Sequence, residues 1–499
     1  MPIRNARQGA SPTRQFMRGG DVTRKHTSKI GNRKSKISSR EERMNKIVLT
    51  ITLVVMAVLV LTACAPAPAP TPVPPTPAPK PTEPPKPTTA PATTAPQPTA
   101  APKPTDVPKP ALRTKANPGE TITLYHLGDV TGPLAAITTP LVSGFDDGVK
   151  YLNKTGGIRG AQVLLEMSDT ASQVDRAILG YNRFREKKPL VLQMYGSGET
   201  EALKARLAED KIPVLTAGVS SKGSYPPGYV FAVVPIYTDQ FGLFIDWLVL
   251  NWDKVKPAKG QGLDSPKIAL VTWDSAFGRD VLTAETRAYA ERKGVKIVGQ
   301  ELFTPGAPDV TTQILAAKKA GANVIYTNTL AHGPAQILKD TVSLGVREEF
   351  LIAGCNWTLD LSMLGLAREA AEGFYGVFPN HWWDDADHPG VKIIQAEFAA
   401  NNRKPAERAV GYLLAFSFVE AMKQYIEKTI DRVGFEGLTG AAVYETIVAT
   451  GELKAMQGVT ALDYNKDRRA PSKARIVQVQ KGKFVYLTDW MTAPDLKPK

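Results

Sequence analysis

The chain has 499 residues, a formal net charge of +14, 40 prolines and two cysteines. Two cysteines, far apart, exclude a disulfide framework. The charge does not describe the folded part either, because Met1 to Arg43 alone holds twelve Lys/Arg against three Asp/Glu; the remainder is only mildly basic, so the total says little about partners, and no nucleic-acid partner is expected.

Residues 1–43 combine low hydrophobicity with high charge, the composition of a disordered leader. An alternative reading starts translation at Met44. Met44-Asn45-Lys46 is a short basic segment, Ile47 to Leu61 is an apolar run, and Leu61-Thr62-Ala63-Cys64 closes it. Residues 44–63 therefore read as a secretory signal, at the lower length limit for a membrane span. From Cys64 to Pro118 proline alternates with Ala, Thr and Lys. Proline fixes φ and lacks an N–H, so this stretch is expected to be an extended tether.

From Glu120 strands and helices alternate. Thr121–Leu127 reads as a strand, followed by the turn Asp129-Val130-Thr131-Gly132-Pro133. Leu141, Val142, Phe145, Val149 and Leu152 then fall on one helical face. Gly156 and Gly157 stop that helix, and Val163–Met167 is the next strand. Strand, turn, helix, strand is a βαβ unit, whose ligands bind at strand carboxyl ends. The pattern continues with a helix from Ser172, a strand Leu190–Met194, the loop Tyr195-Gly196-Ser197-Gly198, and a strand Ile212–Thr216. After a helix Phe241–Trp252 it restarts: strand Lys267–Thr272, helix Gly278–Lys293, strand Lys296–Leu302, helix Thr311–Ala320, strand Asn323–Tyr326, helix Gly333–Leu344. Helices Pro389–Asn401, Glu407–Thr429 and Leu438–Thr450 follow, then two strands around Lys481-Gly482. Two successive βα series predict two α/β lobes.

The segment DVTGPLAAITTPLVSGFDDGVKYLNKTGGIRG resembles the opening of the branched-chain amino-acid-type substrate-binding proteins of ABC transporters, within the type I periplasmic-binding-protein superfamily. The resemblance runs, more weakly, to about Trp490. It implies two lobes, each a mostly parallel sheet with helices on both faces, joined by three hinge crossovers near Val234–Ile236, Tyr375–Phe378 and Gln457–Ala461. The lobes would comprise residues 119–235 with 377–457, and 236–376 with 458–499. The implied ligand contacts are Leu134, Ser197, Gly198, Gly218 and Ser220 on the first lobe, and Phe277, Asn328, Leu330, Cys355 and Asn356, beside Trp357, on the second. By resemblance to bacterial lipoproteins, Cys64 would carry lipid. The implied partners are a small ligand, the permease subunits of the cytoplasmic membrane and the membrane itself, with the protein a monomer outside the cytoplasm and without cofactor or metal.

Enzyme signatures are missing. Gly196-Ser197-Gly198 lacks the outer glycines of the nucleophile elbow. Gly218-Val219-Ser220-Ser221-Lys222-Gly223-Ser224 lacks a lysine after its second glycine. His381, Asp384, Asp385, Asp387 and His388 could be read as metal ligands, but a loop ending in a helix capped by Asp387 explains them too. The amino-acid binders place a carboxylate near the loop that is Cys355-Asn356-Trp357 here. The implied ligand is a small amino-acid-like, amide or carboxylate compound, and this absence favours the neutral or carboxylate ones over α-amino acids, since a buried ammonium needs a partner. Asp360 is expected to begin the next helix instead. A sensory receptor of the same fold is the main alternative, and an α/β hydrolase a weaker one.

Overall fold

The computed structural model describes residues 111–132 and 135–498. The leader, the apolar run, Cys64 and most of the expected tether lie outside the described residues. The last part of that tether does not behave as one. Arg113 pairs with Glu120 and Glu436 at 2.6 Å each and stacks over Phe435, and Ala116 donates its N–H to the Arg159 carbonyl. The folded body thus starts at Arg113, not after Pro118.

The first sheet is built from β1 (Thr121–Gly128), β2 (Gln162–Asp169), β3 (Leu192–Met194), β4 (Val214–Thr216) and β5 (Val230–Ala232), all parallel, in the order β2-β1-β3-β4-β5. Its helices are α1 (Ala135–Lys154), α2 (Val174–Arg185), α3 (Ser197–Glu209) and the single turn α4 (Ser221–Ser224). Strand alternation divides β1 between two cores. Ile122 and Leu124 pack with Leu141, Phe145, Val149 and Leu152 of α1, while Tyr125 and Leu127 pack with Tyr181, Phe184, Leu203 and Leu207 of α2 and α3. The face predicted for α1 is the buried one. β3, β4 and β5 are three-residue, fully buried strands, as expected where helices cover both faces.

After α5 (Tyr237–Val255) the plan repeats. β6 (Lys267–Trp273), β7 (Lys296–Phe303), β8 (Val324–Thr327), β9 (Leu351–Gly354) and β10 (Tyr375–Phe378) are parallel in the order β7-β6-β8-β9-β10, the same permutation as the first sheet. α6 (Ala276–Arg279), α7 (Ala284–Arg292), α8 (Thr311–Lys319), α9 (His332–Ser343) and α10 (Leu361–Ala367) connect them. The single helix expected over 278–293 is broken by a 3-10 turn at Asp280–Leu282, after which Thr283 caps α7 by accepting from the Thr286 N–H at 3.2 Å. β9 and β10 were not foreseen as strands, because four-residue apolar runs carry no usable periodicity, whereas α10 begins at its cap Asp360, as expected.

α11 (Pro389–Ala400), α12 (Val410–Val433) and α13 (Gly440–Thr450) then return to the first sheet, where α12 packs along α1. A hairpin of β11 (Glu452–Ala455) and β12 (Thr460–Asp463) follows, and the chain ends on the second sheet with β13 (Lys473–Gln480), β14 (Lys483–Tyr486) and β15 (Met491–Thr492), all antiparallel additions. The chain therefore passes between two α/β lobes three times, but two crossings differ from expectation. Tyr375–Phe378 is β10 itself, so the second crossing follows it. Gln457–Ala461 lies in the β11–β12 hairpin region, and the third crossing comes after Asp463. There Tyr464 Oη donates to the Ala232 carbonyl at 2.7 Å, and buried Arg468 meets Asp239 at 2.7 Å, tying the third crossing to the first.

Candidate functional site

In both sheets the order reverses between the first strand and its neighbours, and the two reversal points face each other across one cleft. Open α/β sheets present loops for ligands at such points. β1 ends in Asp129, β3 in Tyr195-Gly196 and β4 in Ala217-Gly218; opposite them β6 ends in Asp274-Ser275, β8 in Asn328 and β9 in Cys355. A cavity of roughly 200 Å³ lies between. Its wall is largely aromatic: Tyr195 from one lobe, Tyr237, Trp273, Phe277 and Trp357 from the other. Tyr195 meets Trp357 edge to face at 6.1 Å, and Phe277 lies 4.7 Å from Tyr237 and 6.1 Å from Trp273, between ring centroids. Such contacts fix large surfaces at little cost in side-chain freedom.

The polar side of the cavity is the amino end of α3. Gly196 is the N-cap, and Ser197 and Gly198 are the first helical residues, with backbone N–H groups left over by the helix and a positive dipole end. Ser197 Oγ is buried without a hydrogen-bond partner. Trp273 Nε1, across the cavity, is in the same state. Gly218 also lines the cavity, and a Cβ there would stand 2.3 Å from the Tyr195 carbonyl. Glycine is what lets the loops after β3 and β4 close side by side.

Of the residues expected to contact ligand, the structure brings together Ser197, Gly198, Gly218, Phe277 and Leu330. Trp357 joins them. Leu134 lies outside the described residues. Four others stand behind the cavity wall. Ser220 is the N-cap of α4: its Oγ accepts from the Gly223 N–H at 3.1 Å and donates to Glu201 at 2.5 Å. A cap at the start of a one-turn helix uses up the hydroxyl that the sequence offered to a ligand. Asn328 Nδ2 donates to the Phe277 carbonyl at 2.6 Å and so holds the aromatic loop. Asn356 faces Gln240 in a paired arrangement: its Oδ1 accepts from Gln240 Nε2 at 2.8 Å, and its N–H donates to Gln240 Oε1 at 2.9 Å. The Cys355 thiol is buried beside the Thr329 carbonyl, and burial pushes it up to about 12, so it stays protonated at neutral pH. Asp360 caps α10 as expected, accepting from Ser362 N–H at 2.9 Å and Val410 N–H at 2.8 Å.

The Cys355 loop offers no carboxylate to a ligand ammonium, but the other lobe does. The first-lobe loops do present a carboxyl to the cavity, that of Glu199 in the first turn of α3. It is buried, folds back over Gly196 onto its own N–H, and is raised above the ordinary range by desolvation, with the Glu199 N–H opposing and Asp129 adding. Asp129 is itself committed, accepting from the Gly132 N–H at 2.8 Å and from Ser172. Glu199 was legible as the third residue of a helix after a glycine cap, a position that favours Glu. Tyr237 and Trp273 carried no local signal, since they reach the cavity from the start of α5 and the end of β6.

The histidine–aspartate loop is a packing unit. His381 Nδ1 sits 2.6 Å from Asp385 Oδ2, which also accepts from Tyr486 Oη at 2.8 Å, and the His381 and His388 rings lie 4.1 Å apart, tilted by 30°. Asp387 is exposed and does not cap α11, whose N-cap is His388. Among the described residues no group of three or more His, Cys, Asp or Glu side chains is placed to hold a metal, and no helix is long and apolar enough to cross a membrane.

Two lobes with matched sheet permutations, three crossings and a cavity at the facing reversal points define a two-lobed type I ligand-binding protein. The chain belongs to the periplasmic binding protein family, whose model matches residues 121–483. It is 24% identical over 208 residues to the Leu/Ile/Val-binding protein homolog 3 of Brucella melitensis, a match covering 41% of this chain and about half, 53%, of that relative. It is 22% identical over 315 residues to the leucine-, isoleucine-, valine-, threonine- and alanine-binding protein of Pseudomonas aeruginosa, covering 62% of this chain and 79% of the relative. Among solved structures, a branched-chain amino acid ABC transporter protein from Thermus thermophilus with bound valine superposes with a TM-score of 0.67 at 23% identity, over 75% of this chain and 97% of that one.

Proposed function

We propose that this chain is the extracytoplasmic substrate-binding component of an ABC importer, capturing a small molecule between its lobes and presenting it to membrane permease subunits. The observation that carries the reading is the cavity between the facing reversal points, aromatic on most sides and rich in free donors at the amino end of α3. Contacts to both lobes make ligand stabilise the closed form. The cavity suits an apolar body with an electron-rich head, a carboxylate or amide, at Ser197 and Gly198. No step of chemistry on the ligand is proposed. Residues 113–235 with 379–463, and 236–378 with 473–498, are the lobes in this reading, and Cys64 carries the lipid that holds the body at the membrane.

Glu199 supports a second reading, in which the ligand is an α-amino acid whose ammonium pairs with that carboxyl while its carboxylate meets the α3 amino end. Calorimetry with leucine and 4-methylpentanoate, on wild type and Glu199→Gln, separates the two. Tighter binding of 4-methylpentanoate, little changed in Glu199→Gln, is the outcome expected from the first. Micromolar leucine binding, lost in Glu199→Gln with no binding of the deaminated analogue, establishes the second. A thermal-shift screen of amino acids, amides and aromatic acids tests ligand capture itself, and the absence of any stabilising compound across it would count against the importer role.

A further inference from the structure

The two lobes touch at a second place, outside the cavity. Ser221, at the start of α4 on the first lobe, donates both its N–H and its Oγ to Asp280 Oδ1 on the second, at 2.7 and 2.6 Å. Asp280 begins the 3-10 turn that interrupts the helix after β6. Its other oxygen, Oδ2, is buried with no hydrogen-bond partner. The groups facing it are largely acidic. Glu201 comes from α3 and Asp239 from α5, and both raise the Asp280 carboxyl. The nearby cations are engaged elsewhere: Lys222 lies 3.4 Å from Glu201, Arg468 2.7 Å from Asp239, and Arg279 2.5 Å from Asp274. No cation of α3, α4, α5 or the third crossing is paired with Asp280 among the described residues.

We propose that Asp280 makes closure of the cleft proton-linked: the carboxyl takes a proton from solvent as the lobes meet over Ser221 and returns it to water as they part. A buried carboxylate with one oxygen unpaired and two acidic neighbours is costly, and a neutral acid in the same place is much less so. Ser221 still donates to Oδ1 in the protonated form. In the closed protein burial raises the carboxyl to about 7. With the lobes apart it is hydrated and titrates near the ordinary value of about 3.9. Between these values the closed form holds the extra proton. The closed-to-open ratio therefore rises as pH falls through that window, by up to about tenfold per pH unit, and is flat above it. Ligand capture becomes tighter in mild acid without any titration of the ligand.

The inference rests on the closing motion read above and needs no ligand, so it can fail while ligand capture stands, and the reverse. The test is the distance between the lobes, measured by pulsed electron resonance. Nitroxides are placed on exposed Ala205→Cys in α3 and Glu291→Cys in α7, in the full chain carrying Cys64→Ser. Between pH 8.5 and 5 the short-distance population of the parent is expected to grow at the expense of the long one. Asp280→Asn, which keeps an acceptor for Ser221 but cannot ionise, is expected to hold one ratio across the range. Ser221→Ala keeps the carboxyl and is expected to lower the short-distance population at every pH while retaining the slope. A parent ratio that does not move with pH, the parent's slope surviving in Asp280→Asn, or a Ser221→Ala distribution identical to the parent's would each overturn the proposal.

Discussion

His126 shows how much one buried residue decides. It sits in the middle of β1 with no exposed surface, its ring 4.8 Å from that of Phe145, and neither ring nitrogen has a partner. Burial lowers its pKa to about 3, so the folded protein holds it neutral. The unfolded chain takes up the proton below about 6.5. Between those values the unfolded state binds more protons, so stability falls as pH falls, by up to about 1.4 kcal/mol per unit from this group. Urea melts of wild type and His126→Phe from pH 7 to 4 are expected to show that slope reduced in the variant. Asp147 changes stability with pH in the same sense, but through its partners rather than through burial. Burial alone would raise it, but Arg403 at 2.7 Å and Tyr412 Oη at 2.7 Å outweigh burial and hold it below the usual range. Its stabilisation is present above the unfolded carboxylate range and is lost as pH drops through the folded value. Arg403→Met leaves a buried carboxylate short of its main partner and is expected to cost about 3 kcal/mol at pH 7, read as a lowered urea midpoint.

At the scale of elements, the α1–α12 contact and the α3 amino end carry the most consequence. Gly144 lies where α12 crosses: a Cβ there would stand 2.3 Å from the Tyr412 carbonyl, which is backbone and cannot step aside. Gly144→Val is expected to push the helices apart and lower the melting temperature by several degrees, where the same change at exposed Gly365, with open space around its Cβ position, has little effect through packing. At α3 the prediction concerns function. Ser197→Ala removes the unpartnered hydroxyl that faces the cavity and is expected to weaken binding of a ligand found in the screen by about 1–2 kcal/mol, with melting of the free protein unchanged. Ser220→Ala, by contrast, removes a cap and is expected to destabilise by about 1 kcal/mol while acting on affinity only indirectly. Differential scanning fluorimetry alongside calorimetry distinguishes the two serines.

On the scale of the molecule, the folded body closes on itself from Arg113 onward. Deleting residues 65–111 is expected to leave the melting temperature within error of the parent, whereas deletion through Pro118 removes the Arg113 contacts to Glu120, Glu436 and Phe435 and lowers it. Equal melting of the two truncations would show that this short segment is a passenger. Membrane attachment is expected to follow Cys64: Cys64→Ala protein should appear in the soluble fraction or stall before processing, and palmitate labelling that persists in it would exclude the lipid site.

Much of this protein was determined locally, and so could be read from the chain alone. The glycine-closed turns, the apolar face of α1 from Leu141 to Leu152, and the polar loops at Ser197 and Gly218 follow from backbone sterics and periodicity within a dozen residues, while Phe277 was placed by the family resemblance. The opening of the first lobe is where the family resemblance is also densest. Only the tertiary structure decided which side chains face the cleft. Ser197 and Ser220 look alike in sequence, yet one hydroxyl is free and the other is spent on a cap, because short polar side chains take whichever backbone partner the local turn presents. Tyr237 and Trp273 reach the cavity from elements that begin or end there, and Glu199 does so by folding back at a helix start. Asp280 is a carboxyl like any other until a serine 59 residues away is laid against it. Such pairings depend on how two lobes meet, and no periodicity along the chain encodes that distance.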